Sequence, residues 1–194
     1  VYAGGVRQGD TVVIYGIGGL GINTVQGAVH SGARHVVVVD PVQFKRDEAL
    51  KFGATHAFAT AEEAHAAVEK LTWGQMADQA LILVGTVDEP VVSAAFDVIG
   101  KGGKVVITGL GNMTDKTVQV SGTQLALFGK TITGTLFGSA NPQYDIVKLL
   151  RLYDEGKLKL DELITTTYTL DTINQGYQDL QDGKIMRGVL IHDT

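Results

Sequence analysis

The chain has 194 residues, 44% of them hydrophobic, which is enough to build one large domain with a sizeable core, or one domain and an appendage. Sixteen basic and 21 acidic residues leave a net charge of −5 with no Lys/Arg run, which argues against nucleic acid as a partner. No apolar run is long enough to cross a membrane, no signal-peptide pattern opens the chain, and the absence of cysteine excludes disulfides and fits a cytoplasmic protein.

Val1–Asp10 reads as the end of a helix or a loop, closing on a Gly9-Asp10 turn. The absence of an initiator Met and the early first strand suggest a piece of a longer protein. An apolar β-branched run at 12–14 predicts a buried strand. Gly16, Gly18, Gly19 and Gly21 follow at once, with Leu20 among them. Ile22, Val25, Ala28 and Val29 then recur at helical spacing, and 35–39 reads as a second buried strand ending in Asp40. Strand, glycine turn, helix, strand and acid, in that register, predict a dinucleotide-binding unit.

Each residue type has a job there. Gly16 permits the tight turn out of the strand, Gly18 lets a pyrophosphate approach the backbone, and Gly21 lets the helix pack on the sheet. The N–H groups at the helix start face the phosphate charge. Asp40 comes 19 residues after Gly21 and is placed to accept hydrogen bonds from the adenosine ribose hydroxyls. It would repel a 2′-phosphate, which favours NAD over NADP. Asp40 can equally be an N-cap with Pro41 at the first helical position, and the two roles are compatible. Lys45, one turn into the next helix, either reaches the same ribose or is solvated.

That helix is expected over 43–52, with Phe44, Ala49, Leu50 and Phe52 inward, followed by a short strand at 56–59 and a helix at 61–71. A fourth strand is expected over Gln79–Val84 and a helix at 88–99. Gly100, Gly102 and Gly103 are expected as a turn, and Lys104–Thr108 as the fifth strand. Gly109 and Gly111 then either approach the cofactor or simply start a loop. Residues 112–120 read as irregular. Thr131–Phe137 reads as a sixth strand with one apolar and one threonine face, as suits a sheet edge. The fold expected is α/β: a doubly wound parallel six-stranded Rossmann sheet, order 3-2-1-4-5-6, over residues 1–140.

After Gly138 the pattern changes. Asn141-Pro142 predicts a helix to about Asp154 with Ile146, Leu149, Leu150 and Tyr153 inward. An extended segment at Leu163–Leu170, a helix capped by Asp171 and a last strand at Gly188–Ile191 follow. Residues 141–194 look too small for an independent core, so part of this tail is expected to join a missing catalytic domain. Five histidines without cysteine show no metal-ligand spacing, and no nucleophile motif is present, so no catalytic residue is expected in this chain.

Several stretches in order resemble the C-terminal half of zinc-containing alcohol dehydrogenases of the medium-chain dehydrogenase/reductase superfamily: Gly9 to Gly21, Val36 to Asp40 with Lys45, Phe52 to Thr55, Gly102 to Gly109, Thr133 to Gly138, Ile164 to Thr166, and Ile173 to Tyr177. The ending through Arg187 resembles an actinobacterial-type subgroup with tightly held NAD. The resemblance implies that Gly16 to Gly21 bind the pyrophosphate, Asp40 and Lys45 the ribose, and backbone groups near Thr108, Thr135 and Phe137 the nicotinamide carboxamide. Leu136 would face the substrate cavity, and Arg187 would reach the pyrophosphate. It further implies a parent enzyme that oxidises a small alcohol to an aldehyde or ketone. Zinc ligands would lie outside this chain, and a homodimer would form through strand 131–137. Three other readings compete: a zinc-free NADPH quinone or enoyl reductase, a methyltransferase, and a nucleotide-sensing module.

Overall fold

A computed structural model describes residues 1–111 and 118–192, and the chain divides into two compact units, Val1–Ala140 and Asn141–Thr194. The first unit holds β1 (Thr11–Tyr15), α1 (Gly19–His30), β2 (His35–Val39), α2 (Gln43–Lys51), β3 (His56–Phe58), α3 (Ala61–Leu71) and β4 (Ala77–Ile82). It continues with α4 (Glu89–Val98), β5 (Ile99–Ile107), α5 (Gly122–Phe128) and β6 (Thr131–Gly134). The strands form one six-stranded sheet of order β3-β2-β1-β4-β5-β6, parallel throughout. This is the doubly wound fold expected from the alternation of strands and helices.

The central strands are buried on both faces, which is why they read as continuous apolar runs rather than alternating ones. Every residue of β1 is buried, and Val12, Val13, Ile14, Val37 and Val38 have no exposed surface. Phe96 of α4 is the largest fully enclosed side chain. Helix starts follow local chemistry: the Thr60 hydroxyl accepts from the Glu63 N–H, and the Asp88 carboxylate accepts from the Val91 N–H. At the sheet's other end Lys130 is 7% exposed; its Nζ donates to the Phe96 carbonyl at 2.9 Å, near the end of α4. Burial lowers the Lys130 pKa, while the nearby Asp97 charge opposes that shift.

Several boundaries differ from the sequence expectation. β4 starts two residues earlier, at Ala77, and ends at Ile82. β5 begins at Ile99, so Gly100, Gly102 and Gly103 lie inside it as an irregularity: the register jumps from Ala77↔Ile99 to Gln79↔Lys104. A side chain at Gly100 would lie 2.1 Å from the Gln75 carbonyl, so glycine is needed for that contact. β6 stops at Gly134, because Phe137 and Ser139 take left-handed backbone angles and turn the chain into a short 3-10 helix. Leu50 is exposed, not inward. Of the irregular stretch at 112–120, residues 112–117 lie outside the described residues.

The second unit contains α6 (Pro142–Asp154), β7 (Ile164–Tyr168), α7 (Ile173–Gln181) and β8 (Arg187–Leu190), with β7 and β8 paired in parallel. Leu158, Leu163, Tyr168, Ile185 and Met186 are buried. Tyr168 lies against the backbone of Gly176 and Gly188. The unit thus has a small set of buried side chains where the sequence suggested none of its own. Asp171 is not the cap of α7. Thr169 and Thr172 form a reciprocal capping pair one turn earlier, and Thr172 precedes α7. The expected inner face of α6 is not covered: Ile146, Leu149 and Leu150 are exposed.

Candidate functional site

A cleft of about 740 Å3 opens at the carboxyl ends of β1, β2 and β4. In open α/β sheets this is the side on which ligands bind, beside the strand where the order reverses. A second cavity of about 820 Å3 lies at the opposite end of the sheet, lined by Arg34, Trp73 and Lys101 among others. The smaller one is the better candidate, because only it contains the glycine turn and a helix start. Gly16, Gly18, Gly19, Leu20, Asp40 and Lys45 all line it. The walls are completed by Val42, Val84, Gly85, Pro90 and Val91, which the sequence reading did not assign. The segment after β4 follows a strand adjacent to β1, and that topology was the available signal for Val84 and Gly85.

The glycines divide by what demands them. Gly16 has φ +89, and a Cβ there would sit 2.8 Å from the Val84 N. A Cβ on Gly21 would sit 2.0 Å from the Gly16 carbonyl oxygen, so the helix can approach the strand only through glycine. Gly18 is different. A Cβ there would meet no atom within 4 Å. Protein packing does not require glycine at 18; open cleft lies in front of it. Gly18 is also the N-cap of α1, with no side-chain cap and no acidic residue in the first turn. The first-turn N–H groups of a helix have no partner within the helix. They and the helix dipole therefore point at the cleft, with no acidic side chain of the helix's own first turn beside them. The residues present thus fit a bound pyrophosphate.

Asp40 is 5% exposed and holds two backbone donors. Its Oδ2 accepts from the Ile17 N–H at 2.8 Å, and its Oδ1 accepts from the Val42 N–H at 2.9 Å. The carboxylate thus ties the glycine turn to the end of β2. Each oxygen retains a lone pair, so a further hydrogen bond from a ribose hydroxyl remains open to it. Asp40 is not the helix cap: α2 begins at Gln43 with Val42 before it, and Pro41 lies outside the helix. Beneath the cleft, Tyr15 donates to the Ala94 carbonyl at 3.5 Å. Burial, helped by the charges of Asp97 and Glu62, raises its pKa and keeps the phenol neutral.

The remaining expected residues lie elsewhere. Thr108 follows β5; its N–H and its hydroxyl both donate to the Ile82 carbonyl, at 3.1 and 2.6 Å. Thr135 follows β6, and its N–H donates to the Ile107 carbonyl at 3.0 Å. Leu136 and Phe137 are exposed. These positions share the sheet's carboxyl end but do not line the cleft. Arg187 opens β8 in the second unit and is exposed. Gly109 and Gly111 are explained by packing on the loop after β4: side chains there would strike the Val84 and Val87 carbonyl oxygens at 2.6 and 2.7 Å. Among the described residues no group of three or more His, Asp or Glu side chains could hold a metal ion. No helix among them is long and apolar enough to cross a membrane.

Residues 19–155 match the family model for zinc-binding dehydrogenases. The chain belongs to the zinc-binding dehydrogenase family. It is 68% identical over 193 residues to an NDMA-dependent alcohol dehydrogenase of Amycolatopsis methanolica, covering 100% of this chain and 52% of that protein. It is 47% identical to alcohol dehydrogenase B of Mycobacterium tuberculosis, covering 95% of this chain and 49% of that one. The crystal structure of benzyl alcohol dehydrogenase from Acinetobacter calcoaceticus superposes with a TM-score of 0.88 at 29% identity, over 98% of this chain and 52% of the other. The chain therefore spans about half the length of the curated relatives it matches. It corresponds to the cofactor-binding part of this dehydrogenase family.

Proposed function

We propose that this chain binds NAD, and that a full-length protein containing it is a cytoplasmic enzyme oxidising a primary or secondary alcohol to an aldehyde or ketone. One observation carries the reading: an open Gly18, an uncapped α1 start and the Asp40 carboxylate share one cleft. The α1 start and Gly16 to Gly21 would hold the pyrophosphate. Asp40 and Lys45 would hold the adenosine ribose. Main-chain groups at Thr108, Thr135 and Phe137 would orient the nicotinamide ring, which supplies the hydride chemistry when bound. Leu136 would face the substrate.

The described residues do not fit a zinc ion, so we assign the metal to residues outside this chain. Residues 141–194 would add to the domain that carries it. Among the described residues the outer edge of β6 has no partner strand, and we propose that it pairs with a second copy to give a homodimer. The test is NAD reduction by a full-length protein containing this chain, with a panel of primary and secondary alcohols. Alcohol-dependent NADH formation, lost on zinc chelation and regained with zinc, is expected. NADPH-dependent reduction of quinones or enoyl compounds by a zinc-free protein would replace this reading with the reductase one. Binding of S-adenosylmethionine with no response to NADH would point to a methyltransferase.

A further inference from the structure

Two signals at the ribose end of the cleft conflict. In dinucleotide folds a carboxylate after the second strand receives the ribose hydroxyls, whereas an arginine nearby accommodates a 2′-phosphate. This chain has both, Asp40 and Arg46, six residues apart.

The structure shows what Arg46 does instead. Its Nη1 donates to the Asp40 main-chain carbonyl at 2.7 Å, and its Nη2 donates to the Gln43 Oε1. The Gln43 Nε2 in turn donates to the Asp47 Oδ1 at 2.6 Å. The Gln43 amide can point only one way here. Its oxygen alone can accept from a guanidinium, and its nitrogen alone can donate to a carboxylate. Asp47 therefore orients Gln43, and Gln43 orients Arg46. Pro41, Val42 and Lys45 line the cleft, but Arg46 does not. Its Nη1 is held on the main-chain carbonyl of Asp40, just past the end of β2.

We propose that Asp47 and Gln43 park Arg46 away from the ribose, and that this parking, together with Asp40, sets the preference for a 2′-hydroxyl over a 2′-phosphate. Arg46 is then a latent phosphate receptor, and Gln43 is the positioning residue that keeps it latent. The inference rests on the nucleotide reading above. It adds residues that the glycine-turn and acid pattern does not include.

The test uses this 194-residue chain with two probes that report on the adenosine end alone, adenosine 5′-monophosphate and adenosine 2′,5′-bisphosphate, titrated by calorimetry. Gln43 is an exposed side chain, so its replacement leaves the fold intact. The wild type favours the monophosphate. Gln43→Ala shifts the affinity ratio toward the bisphosphate by about fivefold, the scale of one screened charge-assisted contact, and the shift shrinks as salt rises. Adding Arg46→Ala to Gln43→Ala abolishes the shift. An unchanged ratio in Gln43→Ala, or a gain that survives removal of Arg46, overturns the parking and leaves the nucleotide reading standing. Failure of the folded wild type to bind either probe overturns both.

Discussion

The two units solve burial differently. In Val1–Ala140 the central strands are sealed on both faces, with all of β1 buried and Phe96 fully enclosed. In Asn141–Thr194 the longest helix, α6, has no buried residue, and Tyr144, Ile146, Val147, Leu149 and Leu150 are all exposed along it. A helix of this composition buries its apolar stripe when a neighbour is available. The first unit thus carries its own core, whereas within the second unit α6 leaves those apolar residues exposed. Stability should therefore reside in the sheet and its packed helices, not in the tail.

The largest effect is expected in the sheet. Phe96→Ala should cost about 3–5 kcal/mol, measured as a drop in the urea midpoint at unchanged slope. Leu150→Ala in α6, at an exposed site, should change stability by less than about 0.5 kcal/mol in the same chain. Equal losses would erase the contrast between the units.

Within the first unit the glycines sharpen the contrast. Gly21→Ala forces a Cβ onto the Gly16 carbonyl and should destabilise the fold by about 1–3 kcal/mol as well as weaken nucleotide binding. Gly18→Ala meets no protein atom, so the unfolding midpoint should move little while NADH affinity falls at least about tenfold. A Gly18→Ala chain that binds NADH normally would show that the open space is not the ligand's.

The smallest expected effect concerns His35 at the start of β2. Burial, then the neighbouring charges of Arg34 and His56, lowers its pKa, and its buried Nε2 has no hydrogen-bond partner. The unfolded chain binds a proton there more readily than the native one. Stability is therefore retained above the ordinary histidine pKa and declines as pH falls through it. Urea midpoints at pH 7.5 and 5.5, both chosen as roughly one unit either side of that pKa, should show a smaller pH effect in His35→Gln than in the wild type.

The sheet order was legible because fully buried parallel strands leave unbroken β-branched runs such as Val36–Val39, and glycine clusters mark the turns. The places of Gly16 to Leu20 and Asp40 on the cleft were legible because the dinucleotide pattern sets a glycine turn after the first strand and an acid after the second. The walls were not, since Val84 and Val91 look like any other apolar residue until β4 is placed beside β1. The end of β6 was misread because alternation at 131–137 continues past Gly134, while the backbone angles of Phe137 and Ser139 do not. The hydrogen bonds of Asp40 were invisible too, and they change how it must be tested. Asp40→Ala would unfasten the Ile17 N–H as well as remove a ribose partner, so loss of binding in that variant would be ambiguous.

The most direct measurement therefore varies the ligand and leaves the protein intact: paired fluorescence titrations of the wild-type chain with NADH and NADPH. The account predicts saturable NADH binding and at least about tenfold weaker NADPH binding, since a 2′-phosphate would meet the Asp40 carboxylate in a nearly buried position. Equal or tighter binding of NADPH, or no binding of either by a folded chain, would contradict it.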